Sequence, residues 1–215
     1  MFVKICGITR HEDATAAVSE GANALGFVFW PGSPRFIEPS RAREIVETLP
    51  PFVAAVGVFV NQPAGHVIRV AGLARLSVVQ LHGDEDEAMA AGIPLPVIKA
   101  VSARGGIVAD RQWPERVMLL VDADDPIRRG GTGMTVDWSV AAALARTRRV
   151  LLAGGLGPDN VAEAIERVRP FGVDVSSGIE ASPGVKDRTR LTALFEAIRA
   201  TEGRPEPRTR DHTTR

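Results

Sequence analysis

The chain has 215 residues, 26 basic against 26 acidic side chains and 45% apolar composition, which describes one ordinary soluble domain with enough chain for a real core. The zero formal net charge argues against nucleic acid or an anionic membrane as partner, since each needs a clustered basic face. The lone Cys6 excludes an internal disulfide framework, and the histidines at 11, 66, 82 and 212 never fall at metal-ligand spacing with it or with one another, so neither disulfide nor structural zinc is expected.

In chain order, short runs rich in Val, Ile, Leu and Phe predict strands at Phe2–Cys6, Ala24–Phe29, Ala54–Val60, Val78–Leu81, Val97–Val101, Val117–Asp122, Val150–Ala153 and Val173–Ser176. Between and after them, charges alternate with small or apolar residues near helical period over Glu12–Ser19, Arg41–Leu49, Pro63–Leu73, Glu85–Ala91, Trp138–Ala145, Pro158–Val168 and Thr189–Ala200. The fifth crossover, around Ala103–Gln112, carries the weakest helix signal. The first strand holds Lys4 where a signal peptide would have its apolar segment, and the longest apolar stretch, Phe52–Val60, is too short to cross a bilayer. A cytoplasmic location is therefore expected.

Eight strands at roughly 20 to 30 residues per unit fill about 200 residues, the low end for a single (β/α)8 TIM barrel, whereas an open doubly wound sheet usually has fewer strands. The barrel is the expectation for residues 1–202. The tail 203–215, with its arginines and prolines and no apolar period, is expected to be disordered. Two connections are long, Trp30–Pro39 and Ala123–Asp137, and both follow strand C-termini, the face on which barrels carry their sites. A tolerated surface insertion remains the plain alternative for each.

Polar and reactive residues recur where the apolar runs stop: Cys6-Gly7, Gln80-Leu81-His82-Gly83, Lys99, Asp122, Gly154-Gly155 and Ser176-Ser177-Gly178. Each alone has a structural reading as a turn glycine, a helix cap or a small core residue. Together on one rim they point to a site. At the seventh and eighth strand ends, Gly154 and Gly155 precede a helix whose first turn is expected to hold Pro158 and Asp159, while Ser176, Ser177 and Gly178 offer amides and hydroxyls next door. That is where barrels commonly take a phosphate. By contrast, Gly130-Gly131-Thr132-Gly133 lacks the third glycine of a dinucleotide fingerprint and reads as a flexible lid.

Several stretches carry a family resemblance. Lys4-Ile5-Cys6-Gly7-Ile8-Thr9-Arg10, Gly26-Phe27-Val28-Phe29, Ser33-Pro34-Arg35-Phe36-Ile37, Val56 to Val60, Gln80-Leu81-His82-Gly83, Gly130 to Gly133 with Asp137-Trp138, Ala153-Gly154-Gly155-Leu156 and Val173 to Glu180 resemble, in order from Phe2 to about Ala200, the phosphoribosylanthranilate isomerases. The resemblance implies a cofactor-free Amadori rearrangement in tryptophan biosynthesis, by an enzyme that is a monomer or homodimer. The same resemblance makes Cys6 the general base, Asp122 the general acid and Arg35 the ligand of the anthranilate carboxylate, with Gln80 and His82 lining floor and wall. Trp30, Pro34, Phe36 and Met134 depart from the family's usual residues, which bears on loop contacts and not on the acid–base pair.

The chemistry sets demands. A free thiol with a pKa of about 8.5 is mostly protonated at neutral pH, and lowering it to about 7 takes roughly 2 kcal/mol of preferential stabilisation of the anion. Lys4 shares a strand face with Cys6 by the two-residue period, and Asp174 shares one with Ser176 on the strand that closes against the first. Lys4 is therefore expected to pair with Asp174 inside the barrel, beneath Cys6. Asp122 has the opposite need, a pKa raised from about 3.9. Three rivals stay open: a dual-substrate isomerase that also serves histidine synthesis, which would use aspartate in place of Cys6; a metal-dependent pentose-phosphate epimerase; and a non-catalytic phosphosugar-binding barrel.

Overall fold

The computed structural model describes residues 1–102, 113–122 and 138–202. Its strands are β1 Phe2–Cys6, β2 Ala24–Val28, β3 Ala54–Phe59, β4 Val78–Leu81, β5 Val97–Ser102, β6 Met118–Asp122, β7 Val150–Ala153 and β8 Gly172–Val175. They pair in parallel in sequence order, and β8 returns to β1 to close the ring. The chain is a (β/α)8 barrel, as the alternation of strand and helix signals implies. The helices are α1 His11–Glu20, α2 Pro39–Val46, α3 Ala64–Leu73, α4 Glu87–Ala91, α5 Ser139–Ala145, α6 Val161–Val168 and α7 Arg188–Glu202. The crossover around Ala103–Gln112, the glycine-rich stretch 130–133 and the tail 203–215 lie outside the described residues.

Strand parity divides the core into two layers. Side chains at Val3, Ile5, Leu25, Phe27, Leu119, Val121, Leu152 and Val173 face outward and pack with the helices. Their neighbours Ala24, Val56, Ile98, Leu120, Leu151 and Ala153 face inward and fill the barrel, as alternation along each strand requires. The inward series of β1 runs Phe2, Lys4, Cys6, so a lysine occupies the barrel's interior with its side chain fully buried. The inward position of β2 beside it is Gly26, where a Cβ would come within 2.8 Å of Cys6 Sγ and 3.1 Å of Lys4 Nζ. A glycine mid-strand marks close approach, and here it makes room for both groups.

Element ends moved where side chains intervene. The eighth strand stops at Val175 because Ser176 leaves extended backbone (ψ −87°) and hands the chain to a single 3₁₀ turn, Ser177–Ile179. Helix α6 starts at Val161, three residues after the expected Pro158. Asn160 first ties the loop, taking the Gly157 amide on Oδ1 at 2.9 Å and donating Nδ2 to the Gly155 carbonyl at 3.0 Å. Helix α4 starts at Glu87, capped by Asp86, whose carboxylate accepts from the Met89 amide. Phe52, which heads the apolar run on paper, is 97% exposed, because the chain enters the sheet only at Ala54. Following β8 is an element the run pattern did not show, a hairpin of β9 Glu180–Ser182 and β10 Val185–Lys186.

Candidate active site

The inward parity that carries Lys4 and Cys6 also carries Met118, Leu120 and Asp122 on β6, Val78 and Gln80 on β4, and Gly172 and Asp174 on β8, so the last members of these series meet at the C-terminal rim. A cavity of about 320 Å³ opens there. Its walls include Cys6, Arg35, Gln80, His82, Asp122, Gly154, Gly155, Ser176 and Ser177. Every residue expected at the site except Gly178 lines this one space. Gly178 stands behind the wall: a Cβ there would collide with the Leu156 carbonyl, so its bareness lets the loops after β7 and β8 meet.

Cys6 sits among Val28 and Val58 and is only 9% exposed. Beneath it, Lys4 Nζ donates to Asp174 Oδ1 at 2.8 Å, both side chains buried, which is the pairing expected from register: Lys4 stands opposite Asp174 across β1 and β8. Burial pulls the Lys4 ammonium down, but Asp174 and Cys6 hold it above its ordinary value. The thiol does not follow the expectation of a depressed value. Burial pushes Cys6 up, Lys4 pulls it down, Asp174 adds to the rise and Lys186 opposes it, and the net direction is upward. Desolvation of the thiolate outweighs the two lysines.

Asp122 lies on the opposite arc, three strands from β1 around the ring. Its side chain is 34% exposed and stands 3.7 Å (Oδ2) from His82 Nε2, too far for a hydrogen bond. Gln80 Nε2 lies 2.8 Å from His82 Nδ1, and the other ring nitrogen, Nε2, is the one turned toward Asp122. Gln80 is buried, and its Oε1 is an acceptor without a partner among the described residues.

Arg35 projects from the loop after β2, and Glu180 holds it by one edge: Nε lies 2.9 and 3.1 Å from the two carboxylate oxygens and Nη2 2.6 Å from Oε2. Its stem crosses Gly7, whose φ of +76° and missing Cβ leave the path open; a Cβ would meet Arg35 Cδ at 2.6 Å. On the neighbouring wall, Gly154 and Gly155 both adopt positive φ (91° and 60°), and Ser176 Oγ donates to the Cys6 carbonyl at 3.2 Å. Backbone without side chains, beside two serines and above the start of α6, is a surface on which a phosphate can be met by amides.

The comparisons with known proteins agree with this geometry. Residues 3–197 match the family profile described as N-(5'phosphoribosyl)anthranilate (PRA) isomerase. The chain belongs to the phosphoribosylanthranilate isomerase family. The N-(5'-phosphoribosyl)anthranilate isomerase of Pelobacter propionicus is 46% identical over 200 residues, 93% of this chain and 96% of the relative. The crystal structure of phosphoribosyl anthranilate isomerase from Thermotoga maritima superposes with a TM-score of 0.83 at 44% identity, covering 93% of this chain and 99% of that one. A phosphoribosyl anthranilate isomerase crystallised with reduced 1-(o-carboxyphenylamino)-1-deoxyribulose 5-phosphate superposes equally well, with a TM-score of 0.83 at 42% identity and the same coverage. The chain is thus an isomerase. No described helix is long and apolar enough to cross a membrane.

Sequence reasoning missed Glu180 and Lys186 as parts of the site. Lys186 is 4% exposed, and its Nζ donates to the Cys6 carbonyl at 2.6 Å, the Ser176 carbonyl at 3.2 Å and Glu180 Oε1 at 2.9 Å. The Pro183-Gly184 pair is the one signal that marks a turn there. Lys99, noted only as a strand-end residue, forms a buried pair with Glu85 at 2.8 Å; Glu85 also accepts the amides of Asn61 and Gly83 at 2.7 and 2.8 Å. That pair braces the turn carrying His82.

Proposed function

We propose that the chain catalyses the Amadori rearrangement of N-(5-phosphoribosyl)anthranilate to 1-(2-carboxyphenylamino)-1-deoxyribulose 5-phosphate, the isomerase step of tryptophan biosynthesis, with Asp122 as general acid and Cys6 as general base. The observation that carries the reading is that the chain's sole thiol and Asp122 line one cavity from opposite arcs of the barrel mouth. Between them a pentose meets an acid on one side and a base on the other.

Asp122 gives its proton to the furanose ring oxygen, the bond from C1′ to that oxygen breaks, and the anilino nitrogen's lone pair forms the C1′ iminium. Cys6, as thiolate, then takes the C2′ proton. The released pair forms the C1′–C2′ double bond and neutralises the iminium, and the enolamine tautomerises to the ketone. These are proton transfers only, so no cofactor or metal is called for. The upward shift of the thiol opposes this second step, and the iminium formed in the first, a cation beside the thiolate, favours the anion that takes the proton. Arg35 takes the anthranilate carboxylate on its second fork, Gln80 and His82 line floor and wall, and Gly154, Gly155, Ser176, Ser177 and Gly178 shape the phosphate end.

A fluorescence assay following loss of the anthranilate riboside phosphate, run with chelator on wild type, Cys6→Ser and Asp122→Asn, tests the assignment. Turnover in the wild type with a loss of about 10²- to 10⁴-fold in each variant is expected. Undiminished activity in either would require another proton carrier.

A further inference from the structure

The hairpin β9–β10 is tied to its neighbours on every side. Thr9 Oγ1 donates to the Gly184 carbonyl at 2.5 Å, and the Lys186 amide donates to Asp13 Oδ2 of α1 at 3.1 Å. Asp13 is itself held by Arg10. Within this frame one carboxylate, Glu180, with a side chain 4% exposed, receives two cations, Arg35 from the loop after β2 and Lys186 from β10. Lys186 in turn grips the carbonyls of Cys6 and Ser176. A single chain of contacts therefore runs from the guanidinium through Glu180 and Lys186 to the backbone of the thiol-bearing residue.

We propose that Glu180 and Lys186 are positioning residues: Glu180 presents Arg35 to the substrate carboxylate and so sets selectivity for the carboxylated aryl amine, and Lys186 registers Cys6 against the sugar. The proposal deepens the isomerase reading and rests on Cys6 and Arg35 having the roles given above. A guanidinium on a flexible stem with 24% of its side chain exposed loses rotamer freedom when it binds, and an anchor on its Nε edge removes that cost before the ligand arrives. The charged groups facing the thiol are Lys4 from its own strand, Asp174 from β8, Lys186 from β10 and Arg35 from the loop after β2. Lys186 is thus one of the cations that oppose the thiol's desolvation.

Three variants test this on the full chain: Glu180→Gln, Lys186→Met, and the double substitution, which removes one buried charge of each sign and stays measurable if a single variant leaves a lone charge and does not fold. Affinity is measured for the carboxylated product and for its analogue lacking the carboxyl group. Glu180→Gln is expected to weaken the carboxylated ligand about tenfold and the carboxyl-free one hardly at all, with KM moving more than kcat. Because Cys6 is the only cysteine, far-ultraviolet thiolate absorbance reports its titration alone; Lys186→Met should shift that titration to higher pH and lower kcat. The double variant is expected to show both effects together. Equal losses for the two ligands, tighter binding in Glu180→Gln, or a thiol titration unmoved in Lys186→Met would each overturn the proposal. Cys6→Ser run alongside separates the two failures: full activity there removes the base assignment, whereas an inactive Cys6→Ser with indifferent hairpin variants removes the positioning role only.

Discussion

The two arcs of the barrel mouth are built on different plans. Around Cys6, where β8, β1 and β2 meet, charges are buried and interlocked: Lys4 with Asp174, and Lys186 with Glu180 and Arg35. Around Asp122, on β6, the carboxylate and His82 are 34% and 35% exposed and stand 3.7 Å apart. A buried ion pair holds one geometry because breaking it strands a charge, while a partly exposed carboxylate takes its properties from whatever approaches it. The arc around Cys6 is thus held in one geometry by its own charges, while the side chains of Asp122 and His82 lie more open to solvent.

Removing each of the two groups proposed as proton carriers breaks the comparison most directly. Cys6→Ser and Asp122→Asn should each lower kcat by about 10²- to 10⁴-fold, measured as initial rates at saturating substrate; an undiminished rate in either would take that residue out of the reaction. Next comes Lys4→Met, which leaves Asp174 buried and alone and should cost about 3–5 kcal/mol in urea denaturation. Because Lys4 pulls the thiol down, its loss should also move the acidic limb of kcat/KM to higher pH; an unmoved limb would disconnect the pair from the thiol.

Smaller effects sharpen the contrast. Burial pushes Glu85 up, but Lys99 and backbone amides, Asn61's first, hold it below the ordinary carboxylate range. A lowered folded pKa contributes stability above the unfolded value that fades as pH falls through the folded one. Glu85→Gln should therefore lose about 1–3 kcal/mol at neutral pH and flatten the decline of stability below the usual carboxylate range, as followed by thermal melts across pH. Phe52→Ser, at the far end of the barrel, should stay within about 0.5 kcal/mol and leave kcat untouched.

What was legible follows from periodicity. The barrel could be read because eight buried strands leave near-continuous apolar runs, and the Lys4–Asp174 pair because a two-residue period and ring closure place both inward. The hairpin was not, because Glu180 and Lys186 sit on strands of three and two residues that carry no repeat. Cys6 and Asp122 were placed on the rim, but the direction of the thiol's shift depends on how burial compares with two lysines, one of them from that hairpin. Gly26 falls within an expected strand, and only its neighbours Cys6 and Lys4 show why that position is bare. Gly178 had the right neighbourhood and a different task, since adjacency in sequence to Ser177 does not distinguish a wall from its support.

The contacts that hold Cys6 join positions 170 and 180 residues apart, Ser176 and Lys186 on its carbonyl, and Asp174 reaches Lys4 across the same span. A chain emerging from the ribosome has therefore made its thiol long before it has made the thiol's surroundings. Shortened by a stop codon after β7, it would keep the thiol and lose Asp174, Ser176 and Lys186 beside it, so turnover doubles as a sensor that the first and last strands have found each other.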